Sequence, residues 1–332
     1  MSATALARSI NAGLRAALES DPKVLLMGED IGPLGGVFRV TDGLQETFGK
    51  DRVVDTPLAE SGIVGTAIGL AMAGYRPVCE IQFDGFIFPG YNQITTQLAN
   101  LSYRSMGDVS VPVVIRVPYG GGIGAIEHHS ESPEAYFAHT PGLRVVSPAT
   151  AADGYTMIQQ AIASPDPVLF LEPKARYWDK AEVDLETDVD LSTTGVTTGL
   201  HAARTVRSGT HVTVAGYGPT VKTLLAAAEV AAGEGTELEV IDLRSVSPLD
   251  VDTVAASVER TGRLVVAHEA PVFLGPGAEL AARITERCFY SLEAPVLRVG
   301  GYSTPYPAAK HEEHYLPNLD RVLDAVDRAM AY

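Results

Sequence analysis

Short apolar runs alternate along the chain with longer stretches whose apolar residues recur every three to four positions. In the first half, the apolar runs cover 23–28, 76–83, 111–117, 143–147 and 167–172. Runs of this kind are typical of strands buried on both faces of a parallel sheet. Helical spacing covers 60–74 and 149–163, and it also marks an amphipathic N-terminal helix with Leu6, Ile10, Leu14 and Leu18 on one face. The first half is therefore predicted to be an α/β domain with a largely parallel sheet.

The same alternation returns in the second half, after a polar and acidic interval. Predicted strands cover 211–217, 238–246, 263–269 and 295–301, and predicted helices cover 219–233, 249–261, 277–289 and 318–331. Each strand and its helix together have about the length that a right-handed crossover requires. We predict an α/β protein of two domains with mainly parallel sheets, at 1–175 and 209–332, joined by a linker at 176–208.

Charge and composition narrow the range of functions. A chain of 332 residues is long enough for two cores. Its net charge of −16 argues against nucleic-acid binding, which needs clustered Lys and Arg, and favours a basic partner. The two cysteines, Cys79 and Cys288, suit a reducing cytosol and provide no disulfide or zinc framework. No apolar run approaches the roughly 20 residues of a membrane span, and the N-terminal segment lacks a signal-peptide pattern, so we expect a cytoplasmic protein.

Two adjacent histidines, His128 and His129, follow a glycine-rich run at 120–124. The run approximates a dinucleotide-binding fingerprint, but the next helix signal is Ser132, as a capping residue, so a mobile loop is the better interpretation. A metal site shared with His139 is disfavoured, because neighbouring side chains of an extended segment point to opposite sides. Solvated loop histidines and a proton-transfer site both remain open.

Glu60 follows a helix-start signal at Thr56-Pro57, near a first turn where the helix dipole favours an ionised carboxylate. An ordinary first-turn acid is the alternative interpretation. Small residues then recur on one helical face, at Gly62, Gly65, Gly69 and Ala73. An interior glycine costs roughly 1 kcal/mol relative to alanine, so this stripe indicates close approach of another helix, including one from another chain.

A third candidate stretch covers 80–94 and lies just beyond the carboxyl end of a predicted strand, where open α/β sheets bind ligands. It contains Gln82, Phe83, Asp84, Phe86 and Phe88. Aromatic residues at this density are also common in cores, so the pattern leaves both interpretations open.

Taken in order, motifs between about residues 28 and 317 resemble the beta subunit of the first component of 2-oxo acid dehydrogenases, which are thiamin-diphosphate enzymes. The motifs are DTPLAESG, EIQFDGFIFPGYNQI, HHSESPEAYFAHTPGLRVVSP, LEPKARY, VIDLRSVSPLDVDT, TGRLVVAHEA and LEAPVLRVGGYSTPYP. The resemblance implies a pyrimidine-binding domain followed by a transketolase C-terminal-like domain. It also implies an α2β2 heterotetramer with the cofactor between alpha and beta subunits, and a lipoyl-bearing transacylase core as partner.

The resemblance also assigns roles to single residues. Glu60 matches the acid that hydrogen-bonds N1′ of the cofactor's aminopyrimidine, Phe86 matches the aromatic residue packed on that ring, and Gln82 matches a neighbouring pocket residue. His129 matches the active-site histidine, which suits the chemistry, because opening a lipoyl disulfide leaves a sulfur that needs a proton. His128 is then its solvated neighbour.

A potassium site is implied as well, at Val113, Ala161, Ile162, Ser164 and Asp166. Two of these depart from the family pattern, since relatives often carry Asp where this chain has Ser164 and Asn where it has Asp166. The family's enzymes bind magnesium diphosphate through a Gly-Asp-Gly motif, which this chain lacks. The resemblance therefore implies that an alpha chain brings the magnesium and diphosphate half of the site, and that the enzyme is active only with it.

The motifs also predict a substrate and leave alternative functions open. The motifs EIQFDGFIFPGYNQI and HSESPEAYFAHTPGL are closer to branched-chain 2-oxo acid dehydrogenases, which act on 3-methyl-2-oxobutanoate, than to pyruvate dehydrogenases. Pyruvate dehydrogenase is the first alternative, and acetoin dehydrogenase is the second. A noncatalytic subunit that binds a nucleotide or scaffolds a complex is the alternative from another class.

Overall fold

The computed structural model describes residues 2–192 and 195–332. Its first elements are β1 (Ser2–Ala5), α1 (Leu6–Ser20), β2 (Val24–Gly28), α2 (Leu44–Phe48), β3 (Val53–Asp55), α3 (Glu60–Met72), β4 (Arg76–Glu80), α4 (Ala99–Arg104), β5 (Val114–Tyr119), α5 (Glu134–Ala138), β6 (Arg144–Val146), α6 (Ala151–Ala163) and β7 (Val168–Pro173). They are followed by β8 (Lys180–Val183), β9 (Arg204–Arg207), β10 (Val212–Gly216), α7 (Thr220–Gly233), β11 (Leu238–Asp242), β12 (Ser245–Ser247), α8 (Val251–Thr261), β13 (Leu264–Pro271), α9 (Pro276–Arg287), β14 (Leu297–Gly301), α10 (Glu312–Tyr315) and α11 (Leu319–Met330).

Two mainly parallel sheets form the centre of the two halves. The larger sheet has the strand order β12-β6-β7-β5-β4-β2-β3, and the smaller has the order β14-β13-β10-β11-β9. Only β12 and β9 run antiparallel to their neighbours in these two sheets of the described chain. Strands β2, β5 and β7 are buried along their whole length, which explains why their sequences are mostly apolar; the charged residues Arg116 of β5 and Glu172 of β7 form a buried ion pair. The predicted α/β class with mainly parallel sheets is confirmed.

The N-terminal helix is confirmed together with its buried face. Leu6, Ile10, Leu14 and Leu18 are all at most 2% exposed. Helix α1 packs closely on α6, where a Cβ on Gly154 would lie 2.5 Å from Leu6 Cδ1. Glycine at this position therefore permits the close contact between the two helices.

The segment predicted as a linker, 176–208, contains two strands: β8 forms a separate two-stranded sheet with β1, and β9 is the edge strand of the smaller sheet. Strand β8 pairs antiparallel with β1, and β9 pairs antiparallel with β11. Residues 193 and 194 of this segment, like Met1 of the first predicted domain, lie outside the described residues. The domain boundaries themselves stay a prediction.

The strand predicted over 238–246 is wrong in one respect, because the chain there divides into β11 and β12. Arg244 between them has a φ of 57°, a left-handed conformation that interrupts a strand. Its guanidinium donates to the carbonyl oxygens of Gly199 and Ala202, which holds the turn. Strand β12 thereby leaves the smaller sheet and pairs with β6 of the larger one.

Two predicted helix-start signals are displaced. Helix α3 begins at Glu60, as the predicted range 60–74 has it, but not at the Thr56-Pro57 signal. Helix α5 begins at Glu134 after Pro133, so Ser132 is not the capping residue. Helix ends are the least certain part of any assignment from sequence. None of the helices in the described part of the chain is long and apolar enough to cross a membrane.

Candidate active site

The candidate residues gather at one edge of the larger sheet, beyond the carboxyl ends of four strands. These strands are neighbours in the order β5-β4-β2-β3. The segments after them carry Glu29 and Asp30 (after β2), Glu60 (after β3), Gln82, Phe83 and Phe86 (after β4) and His129 (after β5). Parallel strands place their carboxyl ends at the same edge, so residues far apart in sequence share one site.

Glu60 is a buried carboxylate at the start of a helix. It is 9% exposed, and no donor among the described residues hydrogen-bonds its side chain. Burial of Glu29 raises the pKa of that carboxyl group, and the negative charges of Glu60 and Asp30 raise it further. A buried charge without a partner is costly. The position therefore suits a ligand that brings a hydrogen-bond donor or a positive charge, as the N1′ side of an aminopyrimidine does.

Gln82 connects the end of β4 with the acids that follow β2. Its Nε2 lies 3.4 Å from Asp30 Oδ2, and its side chain is half-buried. Its partner is thus an acid that follows β2, and its role in a cofactor pocket stays a prediction.

His129 lies between two aromatic rings. Its ring centroid is 4.5 Å from that of Phe83 and 5.3 Å from that of Phe86, the latter in an edge-to-face arrangement. The imidazole is half-buried, and its backbone N–H donates to the carbonyl of Ile126. The structure thus brings together two of the residues that the sequence singled out, Phe86 and His129.

His128 differs from its neighbour in both exposure and backbone conformation. It is exposed and has a φ of 68°. Its main chain lies directly on Gly85, where an added Cβ would be 2.4 Å from His128 Cα. Gly85 N–H also donates to the His128 carbonyl at 3.2 Å. Glycine at position 85 therefore allows the histidine segment to lie against the end of β4.

A buried ion pair holds the segment that carries His128 and His129. Asp84 Oδ1 accepts from Lys174 Nζ at 2.8 Å, and both side chains are fully buried. Asp84 Oδ2 accepts from the backbone N–H of Glu131 at 2.7 Å. Burial lowers the pKa of Lys174, whereas Asp84 opposes that change. The pair links the end of β7 to the segment that carries His129.

A cavity of about 730 Å³ opens beside these residues, between the first half of the chain and the second. Its lining includes the aromatic rings and carboxylates of Phe86, Phe88, Glu131, Glu269, Tyr306 and Tyr315. Ligand pockets commonly have volumes of about 300–1,000 Å³. His128 also lines this cavity, as Phe86 does, whereas Glu60, Gln82 and His129 are not among its lining residues.

The glycine-rich run does not form a dinucleotide-binding turn. No helix opens on it, and its amides already have partners, since Gly121 donates to Glu269 and Gly122 and Gly124 donate to Glu312. Across residues 2–192 and 195–332, no group of three or more His, Cys, Asp or Glu side chains could hold a metal ion. His139 is exposed at the end of α5.

The residues of the implied potassium site lie together before β5 and β7. Arg76 donates to the carbonyl oxygens of Ile162 (2.9 Å) and Ser164 (3.4 Å), and the Asp166 carboxylate pairs with Arg144 at 2.7 Å. The other two members, Val113 and Ala161, each accept one backbone hydrogen bond. Each carbonyl keeps a second lone pair. Two cationic guanidinium groups, of Arg76 and Arg144, already contact three members of the set, and potassium here stays a prediction.

The stripe of small residues on α3 faces away from the rest of the described chain. A Cβ on Gly65 or Gly69 would meet nothing within 4 Å. Beside the stripe, Leu58 is 79% exposed and Met72 is 57% exposed. An apolar helix face without a partner in its own chain is typical of a surface that another chain covers.

Several residues that the site description uses were not singled out from the sequence. Lys174 and Glu269 belong to longer motifs without being named there, and Glu29, Asp30 and Glu312 lie outside every motif. Their contacts join positions that are far apart in the chain, so no local spacing could reveal them.

The comparisons with known proteins cover almost the whole chain. The transketolase pyrimidine-binding domain family matches residues 2–179, and the transketolase C-terminal domain family matches residues 201–322. A solved structure described as a split-gene transketolase, an inactive beta4 tetramer, aligns with a TM-score of 0.76 at 20% identity and covers 99% of both chains. At 20% identity, the structural match shows the fold alone.

Two curated relatives are close in sequence. The pyruvate dehydrogenase E1 component subunit beta of Leifsonia xyli is 62% identical over 98% of this chain and 95% of its own length. The 3-methyl-2-oxobutanoate dehydrogenase subunit beta of Mycobacterium tuberculosis is 52% identical over 98% of this chain and 91% of its own length.

Proposed function

The chain belongs to the family of beta subunits of the first component of 2-oxo acid dehydrogenases, and we propose that it forms the proton-transfer half of an active site that an alpha subunit completes. The family depends on thiamin diphosphate. The observation that carries the proposal is the convergence of Glu60, Phe86 and His129 at one sheet edge. A buried carboxylate, an aromatic wall and an imidazole are the groups that this chemistry requires from a beta chain.

The proposed reaction is the oxidative decarboxylation of a 2-oxo acid with transfer of the acyl group to a lipoyl group. The bond between the carboxylate and the acyl carbon breaks, and carbon dioxide leaves. The acyl carbon forms a bond to one lipoyl sulfur while the sulfur–sulfur bond breaks. The other sulfur takes up a proton, so the disulfide is reduced by the electron pair that decarboxylation releases. Thiamin diphosphate, when bound, supplies the carbon nucleophile and holds that electron pair.

Each residue of this chain has one task in the proposal. Glu60 would accept a hydrogen bond from N1′ of the cofactor's aminopyrimidine ring and so keep the proton on that nitrogen. Phe86 packs against the ring, and Gln82 lies in the wall beside the acids. His129 gives its proton to the leaving lipoyl sulfur, for which imidazole is suited because its charge changes near neutral pH.

The partner is proposed to be an alpha subunit in an α2β2 heterotetramer. The absence of a Gly-Asp-Gly motif from the sequence supports assigning magnesium and diphosphate to that subunit. The open small-residue face of α3 supports a helix of another chain as its cover. The net charge of −16 favours encounter with basic partner surfaces. The acyl acceptor is proposed to be the lipoyl-bearing transacylase of the complex.

The proposed substrate is 3-methyl-2-oxobutanoate or a related branched 2-oxo acid. The motifs around Gln82 and His129 support it, and so does the 52% identical relative of that name. Pyruvate is the second candidate, because the 62% identical relative carries the name of a pyruvate dehydrogenase subunit.

Assembly with the alpha chain of the same organism tests the proposal. The purified pair should decarboxylate a 2-oxo acid and acylate a lipoyl domain, and neither chain alone should do so. Gly65→Leu on the open face of α3 should abolish association without unfolding this chain. Gly233→Leu, at the last residue of α7 and equally open, is the matched control and should assemble normally. A lone chain with full turnover, or an inactive pair, would contradict the proposal.

A further inference from the structure

The second half of the chain holds the loop that leads to His129. Glu312, the first residue of α10, accepts from Gly122 N–H at 2.8 Å through Oε1 and from Gly124 N–H at 3.1 Å through Oε2. Tyr306 OH donates to Glu312 Oε1 at 2.6 Å and so fixes the carboxylate from the other side. One side chain therefore binds two amides of the glycine-rich loop.

A second carboxylate binds the base of the same loop. Glu269, on β13, accepts from Gly121 N–H at 2.8 Å, and this contact is buried. Gly120, Gly122 and Gly124 have φ values of 81°, 87° and 72°. Alternation of left-handed residues turns successive N–H groups toward one side and creates an anion-binding concavity. In this chain, its own carboxylates fill that concavity.

The far end of the segment is held in the same way. Asp84 accepts from Glu131 N–H, two residues beyond His129, while Lys174 balances its charge. The histidine segment is thus attached at both ends to carboxylates. The attachment at Glu131 is part-buried and its acceptor Asp84 is fully buried, whereas Gly122 and Gly124 are exposed and Glu312 is half-buried. The Glu312 contacts are therefore the part that opens most readily.

We propose that Glu312 is a positioning residue for His129: by binding the amides of Gly122 and Gly124, it holds the loop in the conformation that presents the imidazole to a lipoyl group. The proposal rests on the proposed function, because it concerns the proton that His129 gives to sulfur. It adds that the second half of the chain, which contributes none of the proposed proton-transfer groups, controls the acyl-transfer step.

Hydrogen exchange in the full chain tests the contact directly. In Glu312→Ala, the amides of the peptide that covers 120–131 should exchange roughly tenfold faster or more, since a hydrogen bond to a charged group contributes at least one factor of ten. Glu312→Gln keeps one side-chain oxygen as acceptor and should give an intermediate rate. Glu313→Ala is the control, because that neighbouring side chain is exposed and should leave the loop unchanged.

Kinetics of the pair with its alpha chain test the consequence. Glu312→Ala should slow acyl transfer to a lipoyl domain roughly tenfold or more, with partial rescue in Glu312→Gln. Decarboxylation followed with an artificial electron acceptor should keep most of its rate, which a general loss of structure would not allow. Unchanged exchange, or equal loss in both assays, would overturn the proposal. If the unsubstituted pair is inactive, the proposed function fails, and the Glu312 contact is then judged on exchange alone.

Discussion

Replacing His129 by asparagine is expected to uncouple acyl transfer from decarboxylation. The imidazole lies 4.5 and 5.3 Å from the ring centroids of Phe83 and Phe86, so its position in the site is fixed by packing. A positioned general acid contributes roughly 10²–10⁴-fold to a rate. Asparagine is polar but gives up no proton. Acyl transfer to a lipoyl domain should therefore fall by about 10²-fold or more.

Decarboxylation followed with an artificial electron acceptor should suffer much less, because that route opens no disulfide. The fold should survive the substitution. Each aromatic pair contributes about 0.5–1.5 kcal/mol beyond area burial, so the two contacts together contribute about 1–3 kcal/mol. For a chain of this size, the loss corresponds to a drop of no more than about 10 °C in Tm, which calorimetry measures.

His128→Asn is the matched control, since asparagine tolerates the left-handed φ of 68° that His128 adopts. It should remain near the unsubstituted rate in both assays. Equal losses in the two assays for His129→Asn would mean that this histidine serves cofactor or substrate binding instead. A larger effect at His128 would mean that the wrong histidine was assigned.

Three further predictions concern the cofactor, the substrate and potassium. Glu60→Ala should lower turnover of the pair by roughly 10²-fold or more. The fold should stay intact, because a first-turn acid contributes only about 0.3–1 kcal/mol to stability. Near-normal turnover would mean that Glu60 is an ordinary helix-start residue. The pair should prefer 3-methyl-2-oxobutanoate to pyruvate by roughly fifteenfold in kcat/KM, because the branched substrate has two more carbon atoms, whose burial adds about 1.6 kcal/mol. A clear preference for pyruvate would reassign the enzyme. Potassium bound near Ile162 and Ser164 should raise Tm in KCl above that in NaCl of equal ionic strength, by about 1–2 °C per kcal/mol of binding free energy for a chain of this length. Equal Tm values would remove that site.

Local patterns were sufficient for the longer helices and for most of the central parallel strands, but not for the short edge strands. The apolar face of α1 follows from helical spacing alone, and buried parallel strands have mostly apolar sequences. The position of 80–94 just beyond the carboxyl end of a strand follows from the same reasoning, whereas the common site of Glu60, Phe86 and His129 is implied by the resemblance to a family.

Contacts between distant parts of the chain could not be foreseen in this way. The strand-like spacing of apolar residues at 238–246 gives no sign that Arg244 turns the chain into the other sheet. Glu312 lies nearly two hundred residues from the amides it binds, and an isolated glutamate in a polar stretch carries no pattern. The displaced start signal of α3 is a smaller error, and it leaves Glu60 in the first turn as predicted.

Binding of thiamin diphosphate tests the central claim, that this chain holds one half of a shared site. Calorimetry with magnesium present should be run on this chain alone, on the alpha chain alone and on the pair. The account predicts tight, magnesium-dependent binding by the pair and weak binding by this chain alone, because its sequence has no Gly-Asp-Gly motif for the diphosphate. Tight, magnesium-dependent binding by this chain alone would contradict the account.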